Sequence, residues 1–201
     1  MHQTGPLADT LCDGWNVRDL AAHLYVRENE PWNAAGILLK PLAGVTERAM
    51  RKAQQQHDFN QLVSLIAAGP KGLSPFRISA VDKAANGFEF FVHHEDVRRA
   101  QPGWAPRTLA PDVDQQLWDQ LLPLAKTKLR GAKVGIIFVR TRDGEPTGDE
   151  HVVSLGPGVV KVIGDPAELT MWFAGRGSHA DVKFDGPQAS QDLIKKIQLK
   201  V

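Results

Sequence analysis

The most informative residues for chemistry are Glu89 and His93, four positions apart in the segment 88–100, FEFFVHHEDVRRA. In a helix this spacing places both side chains on one face, one turn apart. The apolar residues around them share that face: Val81, Ala85, Phe88, Val92, Val97 and Ala100. We therefore predict that a carboxylate and an imidazole lie within a buried stripe, with His94, Glu95 and Arg98 turned away from it.

A buried charge of this kind is costly unless it is paired or bound to a metal. His23, on a predicted N-terminal helix, could face the same interior. Two histidines and one carboxylate leave at least one coordination position open, as catalytic zinc sites do. We predict that His23, Glu89 and His93 bind one divalent metal, zinc by preference. The alternative is a buried hydrogen-bonded pair of Glu89 and His93 with Arg27 or Arg18.

Three further side chains have more than one interpretation. Asp96 is either a ligand or an acceptor for the outer nitrogen of a histidine, unless it pairs simply with Arg99. Cys12 is the only cysteine, which excludes an intrachain disulfide, and it is either a reactive thiol or a small buried apolar residue. Arg176 follows a predicted helix end in a glycine-rich turn, where it either caps the helix or acts catalytically by clamping a substrate carboxylate.

The bulk composition narrows the class of protein. The 201 residues allow one large domain or two small ones, and a net charge of +1 gives no sign of a nucleic-acid partner. No apolar run is long enough to cross a membrane, and residues 1–10 lack the apolar core of a signal peptide. We expect a cytoplasmic protein that acts on a small molecule.

The order of predicted elements indicates an α+β fold in two domains. Helical patterns fill residues 1–105, with helix caps expected at Asn16 and Asp58. Residues 106–201 mix helices with strands, which are predicted over 134–140, 152–155, 159–163 and 180–184. Turn residues at 143–144 and 147–149 are expected to separate the first two strands.

Three segments together resemble the actinobacterial mycothiol-dependent maleylpyruvate isomerase family, and within it an uncharacterised metal-binding branch. They are residues 10–23 (TLCDGWNVRDLAAH), 89–100 (EFFVHHEDVRRA) and 164–176, which begins GDPAEL and ends in GR. The resemblance implies a DinB-like helical bundle that holds a divalent metal, followed by an α/β domain similar to sterol-carrier folds. In that resemblance His23, Glu89 and His93 match the metal ligands, and Arg176 matches an arginine near the active site.

The resemblance also implies a function, a zinc-dependent enzyme of the isomerase or transferase type. It would use a low-molecular-weight thiol, mycothiol, on an electrophilic carboxylated substrate. The alternative is a non-enzymatic metal- and ligand-binding protein. Family members carry a helix before the segment that begins at Thr10, and this chain has too few residues there for one. We therefore expect an exposed apolar groove lined by Val17, Leu20 and Leu24, and with it a homodimer contact, poor solubility or a longer native chain.

Overall fold

The computed structural model describes residue 1 and residues 3–30, 43–69 and 79–197, with only the helical backbone for 79–86. The chain divides into two compact units, Met1–Trp104 and Ala105–Val201, and this boundary lies one residue before the predicted one. Within the described residues, seven helices and one four-stranded sheet give the α+β class that the sequence predicts.

The N-terminal unit contains four helices in the described residues. These are α1 (Val17–Asn29), α2 (Ala43–Gln56), α3 (Phe59–Ala67) and α4 (Ser79–Arg99). The expected caps of α1 and α3 are confirmed, because Asn16 and Asp58 each form a reciprocal capping box with the residue three positions later. Such boxes satisfy backbone N–H groups that the first turn leaves unpaired, so local sequence fixes where these helices begin.

The expected apolar groove along α1 is wrong. Val17, Leu20 and Leu24 are buried within this single chain. Val17 and Leu20 pack with Val97 of α4 in one core cluster. Residues that lie mostly before α1 cover this cluster: Met1, Ala8, Cys12, Trp15 and Phe59. The exposed groove was the reason for expecting a homodimer, so the homodimer stays a prediction without structural support.

The other face of α1 packs on the next two helices. Their shared cluster is built from small residues and a few large ones, namely Ala21, Ala22, Val26, Ala49, Met50, Ala53 and Leu62. Four alanines at this contact let α1 and α2 approach closely, so the helices bury area mainly through their backbones and short side chains.

The apolar stripe predicted on α4 is confirmed in part, since Ala100 follows the end of the helix and is only half-buried. Phe88, Val92 and Val97 are buried, whereas the predictions for Val81 and Ala85 concern side chains outside the described part. The expected outward direction of Glu95 is wrong, since this residue is 0% exposed. Its carboxylate accepts hydrogen bonds from the guanidiniums of two arginines that follow it in the next turn of the helix.

These two partners of Glu95 are Arg99, whose Nε lies 2.7 Å away, and Arg98, whose Nη2 lies 2.7 Å away. Arg99 is only 1% exposed, and its guanidinium also lies 5.0 Å from the centre of the Trp104 ring. Burial disfavours the charged carboxylate, but the hydrogen bonds and the arginine charges outweigh burial and lower the pKa of Glu95. Helix α4 therefore carries a buried ion cluster that helical periodicity alone does not reveal.

The C-terminal unit packs helices on a mixed sheet. Its elements are α5 (Pro111–Lys128), β1 (Gly135–Arg142), β2 (Glu145–Ser154), β3 (Val159–Gly164), α6 (Pro166–Phe173), β4 (Lys183–Asp185) and α7 (Gln188–Lys195). The strand order is β2-β1-β3-β4, with β1 and β3 parallel and the two outer pairs antiparallel. Between sheet and helices the core contains Leu121, Phe138, Val162, Met171 and Ile194.

Strand β2 is longer than predicted. The expected turn over residues 147–149 is wrong, because these residues lie inside a strand that begins at Glu145, directly after the turn at Asp143 and Gly144. The pairing register with β1 shifts between Val139 and Thr141, and Gly148 has φ +89°. The turn-forming residues thus produce an irregularity in a continuing strand rather than its end.

None of the helices in the described ranges is both long enough and apolar enough to cross a membrane.

Replacing Glu95 tests the buried ion cluster. Glu95→Ala withdraws the anion that both guanidiniums contact, and we expect a loss of about 3 to 5 kcal/mol in the free energy of unfolding. Urea denaturation measures it. The control is Glu47→Ala, because the Glu47–Arg51 pair is exposed and 3.7 Å long, and such pairs contribute about 1 kcal/mol or less. Equal losses in the two variants would contradict the proposed importance of the cluster.

Candidate metal centre

The structure brings the three predicted ligands together. His23 from α1 and Glu89 and His93 from α4 each offer one donor atom, and these atoms all lie within 4.8 Å of one another. The two imidazole rings are 5.2 Å apart between centroids and nearly perpendicular. His23 and His93 are 6% and 8% exposed, while Glu89 is half-buried. The group therefore joins α1 to α4, and Glu89 is its most exposed member.

The two nitrogens of His93 face different neighbours. Nε2 lies 3.4 Å from Oε2 of Glu89, one helical turn earlier. Nδ1 lies 2.9 Å from Oδ2 of Asp96, which is 0% exposed. Because a carboxylate can only accept here, Nδ1 carries a proton and donates it to Asp96. Nε2 is then the nitrogen turned to Glu89, so Asp96 has the role of the acceptor that orients a ligating histidine.

The distances from His93 to Glu89 and to Asp96 indicate which of its two nitrogens could bind a metal. Ligands at 2.0–2.1 Å from a tetrahedral zinc lie about 3.3 Å from each other. The 3.4 Å between His93 Nε2 and Glu89 Oε2 matches that spacing, and it is long for the N–H···O hydrogen bond that this pair makes without a metal. The 2.9 Å between His93 Nδ1 and Asp96 is an ordinary hydrogen bond. The residues therefore fit a metal on the Nε2 side.

His23 supplies the second observation in favour of a metal. Its Nδ1 is buried and has no hydrogen-bond partner among the described residues. A buried polar nitrogen left without a partner costs free energy, and this cost needs an explanation in a well-packed core. Trp15 packs against the ring with 5.0 Å between centroids and a tilt of 50° between the planes. The imidazole therefore contacts both Trp15 and His93.

The protonation states follow from burial and neighbours. Burial, helped by the charge of His93, lowers the pKa of His23 to about 4, so this imidazole is neutral at neutral pH. Burial alone also lowers the pKa of His93, but its hydrogen bonds outweigh burial and raise the pKa to about 10. The partners in these bonds are Asp96, Cys12 and Glu89. At neutral pH without a metal, His93 is therefore an imidazolium, with a second proton on Nε2 besides the one on Nδ1.

Glu89 is ionised in this environment. Burial raises the pKa of its carboxyl group, but the hydrogen bond to His93 and the charge of Arg27 lower it below the ordinary value. Of the two arginines considered as alternative partners, Arg18 donates instead to the carbonyl of Gln54 on α2, at 2.8 Å. Arg27 acts on Glu89 through its charge. In the alternative interpretation, a buried Glu89–His93 pair without a metal, Arg27 can therefore still take part, whereas Arg18 is engaged elsewhere.

Cys12 belongs to this site, which the sequence interpretation missed. Its Sγ lies 3.2 Å from Oδ2 of Asp96 and 3.9 Å from Nδ1 of His93. Cys12 and Asp96 are 84 positions apart, so no local spacing could join them. The available signal was the occurrence of Cys12 just before the helix that carries His23. Of the alternatives considered for Asp96, the contacts show the acceptor of a histidine N–H, while Arg99 pairs with Glu95.

Arg176 lies at a helix C-terminus, as expected if it caps the helix. Its Nη1 donates to the carbonyl of Ala174 at 2.5 Å, directly after the end of α6. A cation at a helix C-terminus is favoured by the helix dipole. Its positive charge is also felt by Lys128, whose pKa is lowered by burial and by Arg176. This contact explains the position of Arg176 without a substrate, and its catalytic role stays a prediction.

Comparisons of the chain with protein-family models, with curated proteins and with solved structures find no match. The resemblance to the isomerase family therefore stays a hypothesis that rests on the three quoted segments.

The titration of His23 gives a test in metal-free protein. Its folded pKa lies below the ordinary 6.5, so its contribution to stability is present above pH 6.5 and is lost as pH falls towards 4. Between pH 6.5 and 5 we expect the free energy of unfolding to fall by up to about 1.4 kcal/mol per pH unit. His93 opposes this loss near pH 6.5, where it still titrates in the unfolded state, and adds little below about pH 5.5. In His23→Gln the slope should flatten; parallel slopes in the two proteins would contradict the assignment.

Proposed function

We propose that this protein binds one divalent metal ion, preferably zinc, through His23, Glu89 and His93. The observation that carries the proposal is the convergence of these three donors, together with the buried Nδ1 of His23, for which the described residues offer no hydrogen-bond partner. Neutral imidazole and carboxylate are common zinc ligands, and three protein ligands leave the fourth position open. An open position is the mark of a site that binds and activates a further molecule.

The electrostatics of the site support a dication. At neutral pH the centre contains a neutral His23, an ionised Glu89 and a protonated His93. Binding to Nε2 of His93 requires only the loss of that one proton. The Nδ1 proton remains on the ring, held by Asp96, and this hydrogen bond raises the basicity of the ligating nitrogen.

The reaction that fits best with the resemblance is thiol-dependent chemistry. A zinc ion in this site would lower the pKa of a coordinated low-molecular-weight thiol such as mycothiol, favouring the thiolate at neutral pH. An electrophilic carboxylated small molecule is the proposed substrate, with Arg176 as the proposed carboxylate clamp. Such an isomerase or transferase, with Cys12 kept as a thiol, suits the reducing cytoplasm.

One observation favours the non-enzymatic alternative. The C-terminal unit contains a cavity of about 370 Å³ beside the C-terminal end of α5. Its lining combines apolar and cationic side chains, among them Leu129, Val134, Leu193, Lys128, Arg130 and Lys133. This composition suits an apolar molecule with an acidic head group. The alternative function is therefore a metal-binding protein whose second unit holds such a ligand without reaction.

Metal content tests the proposed site. We expect about one zinc per chain in the purified protein by elemental analysis, and close to none in His93→Ala and Glu89→Gln, because each variant removes a ligand. The matched control is His94→Ala, which changes the neighbouring histidine on α4, a side chain that is 57% exposed. Full zinc content in His93→Ala, or equal loss in His94→Ala, would contradict the ligand assignment.

The open coordination position is tested separately with the cobalt-substituted protein. Addition of mycothiol should produce a near-ultraviolet sulfur-to-cobalt band and change the visible spectrum, since a thiolate enters the coordination sphere. Glutathione serves as the comparison thiol and measures selectivity. A spectrum that no thiol changes would reject the thiol-dependent enzyme and leave the non-enzymatic alternative.

A further inference from the structure

We propose that Cys12 is a positioning residue of the metal centre, whose thiol holds the carboxylate of Asp96 in the orientation that fixes the ring of His93. This inference rests on the proposed metal site and assigns it a third group beyond the ligands and Asp96. Cys12 does not touch the metal in this arrangement. It acts through two successive hydrogen bonds.

The geometry around Asp96 carries the proposal. The Cys12 thiol donates to Oδ2 of Asp96 at 3.2 Å, and Nδ1–H of His93 donates to the same oxygen at 2.9 Å. The sulfur lies 3.9 Å from Nδ1, so the three atoms form a closed triangle. Asp96 is fully buried, which removes water as a competing donor to this oxygen. Two donors on one oxygen fix the rotation of the carboxylate more firmly than one.

The loop before α1 is built to place the thiol there. The N–H of Leu11 donates to the backbone carbonyl of Asp96 at 3.1 Å, tying the loop to α4 beside the carboxylate. Thr10 accepts from the N–H of Cys12 at 3.1 Å and donates its hydroxyl to the carbonyl of Trp15 at 2.7 Å. The position of Sγ is therefore set by at least three hydrogen bonds of its own loop.

The same distances argue against direct coordination by Cys12. A metal ligated by Cys12, Asp96 and Nδ1 of His93 would need the proton that Nδ1 donates to be absent. The 2.9 Å contact is a hydrogen-bond length, shorter than the spacing of about 3.3 Å expected between two ligands of one zinc ion. A hydrogen-bond relay to the Nε2 side explains these contacts without moving an atom.

The relay predicts a measurable effect on metal affinity. Loss of a hydrogen bond that orients a ligating histidine typically weakens metal binding about 10- to 100-fold. We expect Cys12→Ala to weaken zinc binding about 10-fold in competition with a chromophoric chelator, with the stoichiometry unchanged. Cys12→Ser keeps a donor at the same position and should restore most of the affinity. Asp96→Asn removes the carboxylate, so adding Cys12→Ala to it should cause little further loss.

Three results would overturn the relay. The first is zinc affinity in Cys12→Ala within about twofold of the unchanged protein, since the lower end of the expected loss is about tenfold. The second is a full further loss when Cys12→Ala is added to Asp96→Asn. The third is a sulfur-to-cobalt band in the thiol-free cobalt protein that disappears in both Cys12 variants, because it would make Cys12 a ligand. Thermal melting of each variant confirms that the comparison is between folded proteins.

A measurement without metal separates this inference from the proposed function. If the purified protein binds no zinc, the metal site fails, but the hydrogen bonds can still be observed. In protein labelled with ¹⁵N-histidine, the Nδ1 proton of His93 should give a slowly exchanging downfield signal, retained in Cys12→Ser and shifted and faster to exchange in Cys12→Ala. An identical signal in all three metal-free proteins would reject the relay whatever the metal result.

Discussion

The last three turns of α4 must keep several charged groups out of water, and the helical unit depends on how they are paired. His93, Glu95, Asp96 and Arg99 are all buried on this one helix. Each ion would be costly alone, and the described contacts pair these charges in two sets. One set joins Glu95 to the two following arginines, and the other joins Asp96 to His93. Because the two sets need different neighbours, together they fix the rotation of α4 about its axis.

The second set also explains why the centre is suited to a cation. Without a metal, the protonated ring of His93 turns Nε2 to the carboxylate of Glu89 and Nδ1 to that of Asp96. A dication placed against Nε2 would meet the same negative surroundings. His23 contributes the opposite property, because burial keeps it neutral and therefore able to donate a lone pair. The carboxylates around His93 thus attract a cation, and the neutral imidazole of His23 can coordinate it.

Local sequence predicted the parts of this structure that local chemistry determines. The helix starts at Asn16 and Asp58 depend on side chains three residues away, and the Glu89–His93 pair depends on one helical turn. Both were therefore visible in the spacing of residues. The convergence of His23 on that pair was predicted from its type and the resemblance rather than from geometry.

What the sequence did not reveal depends on contacts between distant segments. Helical periodicity places Glu95 away from the apolar stripe, and its burial follows only from the arginine pairing that accompanies tertiary packing. Cys12 reaches Asp96 through a loop whose course no periodic pattern describes. The continuation of β2 through Gly148 depends on β1 as its partner, which overrides the turn preference of its residues.

The course of β2 has a consequence for self-association. This ten-residue strand lies at one edge of the sheet, where unpaired N–H and C=O groups could recruit a strand from another molecule. Its residues oppose that recruitment: Pro146 offers no N–H, Asp149 and Glu150 are exposed charges, and the register shift twists the strand out of line. At the opposite edge β4 has only three residues. The features that obscured β2 as a strand in the sequence are thus those that protect the sheet against edge-to-edge aggregation.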